Sequence, residues 1–257
     1  MLYFAVDRKL PFCDREYAVN KVTFWIKRLL SSFVRKEREF IMHAAHELRT
    51  PMAIIKGYAE ILEDLSEMPL EQIKEIAKKM AQSCSRLDHV IKGLLTLHDL
   101  DDQLYVATEP CALPPLLMSC QHAFQLLHPE AELVVDAPAS IQNILADKDL
   151  LELALMNLLD NAVKYSSKRA KVHVRLTKEQ NNIALSVIDQ GVGIPPTHLG
   201  HVFERFHCVD KTRSRKLGGA GLGLAIVKAI AEKHRGKVTV TSALGKGSTF
   251  TLLFPAA

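Results

Sequence analysis

The sequence predicts an α+β protein, in which an antiparallel helical hairpin forms a dimeric four-helix bundle and is followed by an α/β sandwich domain. Two observations predict this arrangement. Residues 17–99 carry apolar residues at heptad spacing, which is typical of paired helices. Residues 113–255 instead mix short β-rich runs, helical stretches and glycine-rich segments, which is typical of a sheet covered by helices. The acidic, proline-containing stretch between them is the predicted linker, residues 100–112.

Composition and cysteine usage define the broad class of the protein. The 257 residues carry a formal charge of +4 and 48% hydrophobic residues, which is ordinary for a globular protein and does not indicate nucleic-acid binding. The five cysteines are scattered and never spaced as CxxC, which indicates a reducing compartment. No apolar run approaches the ~18 residues of a membrane span. We therefore predict a cytoplasmic protein that associates with a membrane, if at all, through a missing or partner segment.

Heptad spacing predicts the helical hairpin. Two series of apolar residues repeat every seven positions, one in each helix: Val34, Ile41, Leu48, Ile55 and Leu62, then Ile73, Met80, Leu87 and Leu94. Between them, Ser66 is placed to cap a helix and Pro69 suits a first helical turn. Each helix buries a single apolar stripe, which is a poor core for one hairpin alone. We therefore expect two copies to pair as a homodimer.

Residues 1–34 precede the hairpin and admit two interpretations. Apolar residues recur along one side of this segment, while lysines and arginines occupy the other sides. A coiled-coil signalling helix that continues into the hairpin explains the pattern. A basic amphipathic helix that lies on a membrane surface explains it as well.

The second region, residues 113–257, is predicted as a sheet with helices on one face. The first elements predicted are the strands ELVVD and IQNILAD, followed by a helix over about 147–166. The strands AKVHVRL and NIALSVID come next. A loop then continues to about residue 219, a helix covers 221–234, and KVTVTS with STFTLLF closes the domain as a hairpin.

One histidine in the first helix is a candidate nucleophile. In the segment FIMHAAHELRTPM, the heptad register directs His46 almost opposite the seam and toward solvent. Glu47 follows directly and can receive the imidazole proton, while Thr50 lies one turn further on the same face. Pro51 is expected to bend the helix. A solvated surface histidine is the alternative interpretation.

A polar stripe interrupts the apolar helix LLELALMNLLDNAVKYSS. Asn157, Asn161 and Lys164 recur at i, i+4 and i+7, on one side of the helix. Polar side chains that face a core are costly unless they are satisfied, so we expect the stripe to face a ligand. An asparagine oxygen suits Mg²⁺ and a lysine suits phosphate. A stripe that faces water is the alternative.

Two glycine-rich segments flank a basic loop. In the first, residues 189–194, glycines allow the backbone to approach a ligand. The second, residues 218–228, leads into a helix whose first N–H groups would receive phosphate oxygens. Neither is a Walker loop or a dinucleotide fingerprint. The segment between them contains VFERF and a basic stretch, residues 211–216, and is predicted as a mobile lid, with a solvated basic loop as the alternative.

Taken together and in order, these segments resemble the histidine kinases of two-component signalling. HELRTP resembles the H box of that family, NLLDNAVKY its N box, DQGVGI and GGAGLGLAIVK its glycine boxes, and VFERF its F box. The resemblance implies a dimerisation and phosphoacceptor domain, residues 35–99, and a catalytic ATP-binding domain, residues 113–257, with the gyrase-type fold. It also implies ATP-dependent autophosphorylation and transfer to an aspartate of a response regulator receiver domain.

The resemblance further implies a role for each matched residue. His46 is the implied phosphoacceptor, Glu47 the proton acceptor, and Thr50 a residue that supports dephosphorylation of the regulator. Asn161 is the implied Mg²⁺ ligand. Asp189 is implied to bind the adenine amino group, with help from Thr249 through water. The full set implied to hold ATP is Asn157, Asn161, Lys164, Tyr165, Asp189, Gly191, Gly193, Arg205, Gly219, Gly221, Leu222, Gly223 and Thr249.

Two rival functions remain open from the sequence. A gyrase-like or chaperone-like ATPase shares the nucleotide fold, but such enzymes place a glutamate one turn before the metal-binding asparagine, where this chain has Asn157. A non-catalytic dimeric scaffold that binds only nucleotide or a regulator is the second rival. Autophosphorylation with labelled ATP separates both rivals from a kinase.

Overall fold

The computed structural model describes residues 12–63, 68–102, 106–138, 143–166, 169–210 and 219–256, with the side chains of the first helix described from residue 37 onward. The chain divides between His46 and Glu47 into two compact units. Helix α1 (Phe12–Glu63) extends through that point and remains helical through Pro51. The predicted cap residue Ser66 and the basic stretch 211–216 lie outside the described residues.

A helical hairpin opens the second unit. Helix α2 (Leu70–Asp102) follows α1, and two side-chain contacts join them. Arg86 Nη2 lies 2.7 Å from Glu47 Oε2, and Lys79 Nζ lies 5.8 Å from the ring centroid of Tyr58. Tyr58 comes after Glu47 in α1, whereas its partner Lys79 comes before Arg86 in α2. The two helices are therefore antiparallel. The predicted hairpin is confirmed.

A two-layer domain follows the hairpin. Its elements are, in chain order, β1 (Glu109–Cys111), α3 (Leu113–Leu127), β2 (Glu132–Asp136), β3 (Ile144–Ala146), α4 (Lys148–Lys164), β4 (Lys171–Glu179), β5 (Asn182–Asp189), α5 (Pro196–Leu199), α6 (Gly223–Lys233), β6 (Lys237–Ala243) and β7 (Gly247–Pro255).

The main sheet has five strands in the order β2-β4-β5-β7-β6. Strand β2 runs parallel to β4, and the remaining pairs are antiparallel. Alternate residues of β4, β5 and β7 are buried, including Val174, Val187 and Phe250. Helices α3, α4 and α6 pack against this sheet. Burial of each large apolar side chain contributes about 1.5–3 kcal/mol, so the shared core orients α4 and α6 firmly. The predicted sheet with helices on one face is confirmed.

Two parts of the domain differ from the sequence prediction. Helix α3 occupies a stretch for which no element was predicted. Its buried residues recur at helical spacing: Leu113, Leu116, Leu117, Cys120 and Phe124. In the described part of the predicted strand IQNILAD, residues 144–146 form β3, which pairs with β1 in a separate two-stranded sheet rather than joining the main one.

No helix in the described part of the chain is both long enough and apolar enough to span a membrane.

Candidate active site

A cleft lies between α4, α6 and the segment that leads into α6. Helix α2 contributes His89 and Gly93 to its wall, and the segment after α5 contributes Val202 and His207. The sequence-predicted residues that line this cleft are Asn157, Asn161, Lys164, Tyr165, Gly219, Gly221, Leu222 and Gly223. The structure therefore brings the polar stripe and the second glycine-rich segment together.

The polar stripe occupies the side of α4 that faces the cleft. The Asp147 carboxylate caps the helix by accepting the N–H groups of Asp149 at 3.0 Å and Leu150 at 3.1 Å. Asn161 and Lys164 are half-buried in the cleft wall. Within the described ranges, neither side chain makes a hydrogen bond or an ion pair. A half-buried amide and ammonium without protein partners are suited to bind a polar ligand.

Asn157 fixes the first residue of α6. Its Nδ2 donates to the carbonyl of Leu153 at 2.8 Å, one turn earlier in α4. This bond orients the amide so that Oδ1 points at Gly223, where an added Cβ would lie only 2.7 Å from that oxygen. A side chain at position 223 would displace the Asn157 amide from this orientation.

The second glycine-rich segment bends sharply before α6. Gly221 has a φ of +73°, and its carbonyl accepts the N–H of Phe206 at 2.8 Å. A Cβ there would lie 2.7 Å from the carbonyl carbon of Phe206, so the segment requires glycine. Leu222 is buried and contacts Gly93 of α2. The first residues of α6 consequently line the cleft, and the first N–H groups of a helix favour anions.

The first glycine-rich segment adjoins the end of α4 without lining the cleft. The N–H of Val192 donates to the carbonyl of Tyr165 at 3.1 Å. A Cβ on Gly191 would lie 2.6 Å from that same carbonyl, so a side chain there would separate the two segments. Gly193 has a φ of +70° and packs its backbone against Ala243. These contacts place the end of β5 beside Tyr165.

Asp189 is a buried carboxylate at the end of β5, with 8% of its surface exposed. Its Oδ1 accepts two backbone N–H groups, from Gly191 at 2.8 Å and from Ser248 at 3.1 Å. Burial raises the pKa of this carboxyl, and the two N–H bonds oppose that rise only in part. Among the described residues, no hydrogen bond reaches Oδ2, which can therefore accept from a ligand.

The structure corrects the position predicted for Thr249. Residues paired directly across a sheet share a face, and successive residues of a strand alternate between faces. Thr249 pairs with Ile188, so its side chain lies on the face opposite to that of Asp189. Ser248 is the neighbour of Asp189 instead, through its backbone N–H. The buried positions Ser248, Phe250, Leu252 and Phe254 alternate, and this sequence pattern could have identified Ser248.

The candidate nucleophile lies on α1. His46 is exposed, whereas Glu47 and Thr50 are half-buried. The Glu47 carboxylate accepts a hydrogen bond from Arg86 of α2 at 2.7 Å. The outward direction predicted for His46 agrees with its exposure.

Two family models match the chain in the order of its two regions. The model described as "His Kinase A (phospho-acceptor) domain" matches residues 36–103, and "Histidine kinase-, DNA gyrase B-, and HSP90-like ATPase" matches residues 146–257. The solved structure of the mycobacterial sensor histidine kinase MprB is 30% identical, and this chain covers 97% of it. That match spans 58% of this chain, with a TM-score of 0.50.

The chain belongs to the histidine kinases of two-component signalling.

Two other family members give the extent of the likeness. The phosphate regulon sensor protein PhoR of Pseudomonas aeruginosa is 36% identical over 84% of this chain and 49% of its own length. The Acinetobacter baumannii histidine kinase AdeS is 25% identical in its solved structure, over 82% of this chain and 98% of that one, with a TM-score of 0.66. This histidine kinase chain thus spans about half the length of its curated relative PhoR.

One predicted phosphate ligand of this histidine kinase lies elsewhere in the structure. Arg205 is not among the residues that line the cleft. Its Nη2 lies 2.6 Å from Oδ2 of Asp101, at the end of α2. An arginine that pairs with a carboxylate presents the same planar donors that would bind phosphate. In this structure Arg205 therefore pairs with Asp101 and does not line the cleft.

Proposed function

We propose that this protein is an ATP-dependent histidine kinase that phosphorylates its own His46 and passes the phosphoryl group to an aspartate of a response regulator. The observation that carries the proposal is the pair Asn161 and Lys164. Both side chains face a cleft without partners among the described residues, beside the glycine-rich start of α6. The matched phospho-acceptor domain precedes this cleft in the same chain.

The cleft offers complementary groups for a triphosphate. The Lys164 ammonium and the first N–H groups of α6 supply positive charge and donors. Gly221 and Gly223 allow the phosphates to approach the backbone without a side chain in the way. Tyr165 connects this phosphate region to Asp189, whose Oδ2 accepts the adenine amino group.

The proposed reaction transfers the terminal phosphoryl group to an imidazole nitrogen. One ring nitrogen of His46 forms a bond to the γ-phosphorus, while the bond from that phosphorus to the β–γ bridging oxygen breaks and ADP leaves. The proton on the other ring nitrogen passes to the Glu47 carboxylate. Charge is conserved, because ATP⁴⁻ becomes ADP³⁻, the neutral imidazole becomes a phosphohistidine dianion and the carboxylate becomes neutral. Positioning and electrostatics dominate catalysis of this type.

Asn161 is the residue that would hold Mg²⁺ with ATP. Its amide oxygen is a hard ligand, and it lies beside Lys164 in the same cleft. No group of three or more histidine, cysteine or acidic side chains could hold a metal ion in the described part of the chain. Mg²⁺ is commonly bound by one or two protein oxygens together with substrate phosphates, so this donor set fits. When bound, the ion neutralises charge on the phosphates.

Helix α2 has one apolar face that is buried within the chain and a second that is exposed, and the exposed face supports the proposed homodimer. Ile76, Val90 and Leu97 are buried within the chain itself. Ile91 and Leu95 instead leave 43% and 56% of their surfaces exposed. A second hairpin would cover this second face and complete a four-helix bundle.

The cytoplasm is the compartment that fits this function. ATP and receiver domains occur there, and thiols stay reduced. Among the described cysteines, Cys84, Cys111 and Cys120 form no disulfide. Cell fractionation of the native protein tests this placement.

Incubation with γ-labelled ATP and Mg²⁺ tests the proposed function. We expect the chain to incorporate label in a bond that is labile in acid and stable in base, as phosphohistidine is. An ATPase would release labelled phosphate without labelling the protein. A scaffold would do neither, and either result would contradict the proposal.

Replacement of Asp189 by Asn should weaken ATP binding by about 10- to 100-fold, because an acceptor-only carboxylate becomes partly a donor. Since burial raises the pKa of Asp189, acid should weaken ATP binding of the native kinase at a pH above the ordinary carboxyl range. The Asn variant should lack this acid dependence. Displacement of a fluorescent nucleotide at several pH values measures both effects.

Thr249→Ala is the control for that experiment. Its side chain lies on the opposite face of the sheet from Asp189, so ATP affinity should stay within about twofold of the native value. An equal loss in Thr249→Ala and Asp189→Asn would contradict the assignment of the adenine contact.

Replacement of Thr50 by Ala should spare autophosphorylation and slow dephosphorylation of the regulator. Thr50 lies one turn after His46, and its hydroxyl can hold a water in line with a docked phosphoaspartate. Loss of that positioning should slow decay of the phospho-regulator by about 10- to 100-fold. The decay of purified phospho-regulator is measured with native kinase and with the variant. Equal decay rates would assign the phosphatase role to another residue or remove it.

A further inference from the structure

Glu47 is held from outside its own helix. Arg86 Nη2, on α2, donates to Glu47 Oε2 at 2.7 Å, thirty-nine residues away in the chain. Only 12% of the Arg86 side chain and 19% of the Glu47 side chain are exposed. The ion pairs between neighbouring residues of α2 are more exposed, because Lys92 and Asp88, for example, leave 73% and 56% of their side chains exposed.

An ion pair that is shielded from water usually adds little to the stability of the fold. Removal of two charges from water costs several kcal/mol, and the attraction between them often does no more than offset that cost. The contact is nevertheless short and charge-assisted, so it fixes the direction of the carboxylate strongly. Such a pair is best explained by a need for one orientation of Glu47.

The proposed phosphoryl transfer requires one orientation of the Glu47 carboxylate. Glu47 follows His46 directly and is the proposed acceptor of its ring proton, so the inference rests on the proposed function. A carboxylate has two oxygens and about four acceptor positions, so the hydrogen bond from Arg86 does not prevent it from accepting a proton. A proton acceptor works only within about 2.6–3.2 Å of the atom that it deprotonates. A freely rotating glutamate would meet that condition only part of the time.

We infer that Arg86 is a positioning residue for the phosphoryl transfer. It holds the Glu47 carboxylate in the orientation in which that group takes the imidazole proton of His46, while the other ring nitrogen bonds to the γ-phosphorus and ADP leaves. Arg86 itself contacts neither ATP nor the reacting nitrogen in this role. Its effect therefore falls on the rate of transfer and not on nucleotide affinity.

The first test replaces Arg86 by Gln or Lys in the full chain. We expect Arg86→Gln to lower kcat for autophosphorylation by about 10- to 100-fold, while the KM for ATP and fluorescent-nucleotide binding stay unchanged. Arg86→Lys keeps a cation without the planar fork and should recover part of the rate. Lys92→Gln removes a cation from an exposed pair on the same helix and should leave kcat unchanged. An unchanged kcat in Arg86→Gln, or a rise in KM that accounts for the loss, would overturn the inference.

An exchange of the two charges separates positioning from stability. The double variant Glu47→Arg with Arg86→Glu keeps an ion pair between the helices but leaves no carboxylate beside His46. We expect a melting temperature near that of the native chain and a kcat no higher than that of Arg86→Gln. Recovery of native kcat in the exchanged variant would show that the pair serves only to join the helices. If the native chain incorporates no label, the proposed function fails before this inference is tested; if the native chain is active and the Arg86 variants match it, the inference alone fails.

Discussion

Replacement of His46 by Gln should abolish autophosphorylation, with a loss on the order of 10³-fold or more, because the nucleophile of the transfer step is removed. His46 is exposed on α1, so glutamine there should disturb neither the core nor the hairpin. ATP affinity should stay at the native value, since the cleft residues Asn161 and Lys164 are untouched. Incorporation of label from γ-labelled ATP measures the first expectation, and displacement of a fluorescent nucleotide measures the second.

His43 provides the matched control for that variant. It lies three residues before His46 and is also exposed. His43→Gln should therefore incorporate label at the native rate. Undiminished label in His46→Gln, or loss of label in His43→Gln, would move the phosphoacceptor to another residue.

The helical hairpin could be predicted because heptad spacing encodes it directly. A repeat every seven residues determines which side of each helix is buried, whatever the partner is. The sequence could not show what else the buried side of α2 packs against. Gly93 lies on that side, one turn before Leu97, and it contacts Leu222 from the glycine-rich segment far along the chain. A contact between distant segments leaves no periodic signal in either one.

The end of β7 shows where sequence reasoning went wrong although a signal existed. The family resemblance implied Thr249, in GKGSTF, as the helper of Asp189 through water. Phe250, Leu252 and Phe254 must face the core, which directs Thr249 to the other face and Ser248 inward. The period of two over residues 248–254 was sufficient to choose between the two positions.

Two ion pairs illustrate what the sequence could not predict at all. The motifs singled out Glu47 and Arg205 as residues that act on ligands. In the structure each also has a protein partner on α2, Arg86 and Asp101 respectively. Motif spacing does not identify the partner of a charged residue elsewhere in the fold, because charged residues are ordinary at any protein surface.

Replacement of Asn161 by Ala should remove nearly all Mg²⁺-dependent transfer, by about 100- to 1,000-fold. The amide oxygen is the only atom lost that can bind a hard cation, and it faces the cleft beside Lys164. Within the described ranges the Asn161 side chain has no hydrogen bond to lose, so the variant should fold with nearly native stability. Autophosphorylation is measured over a range of Mg²⁺ concentrations, together with the melting temperature.

Asn161→Asp is the variant that separates metal binding from other roles of this side chain. Aspartate keeps an oxygen ligand at nearly the same place and adds a charge that favours Mg²⁺. We therefore expect Asn161→Asp to retain clearly more activity than Asn161→Ala, with a half-saturating Mg²⁺ concentration that differs from the native one. An amide that acted only as a hydrogen-bond donor to phosphate would give the reverse order, since a carboxylate near phosphate repels it. Native activity in Asn161→Ala would exclude both roles, and the polar stripe of α4 would then have to bind the phosphates through Lys164 and Asn157.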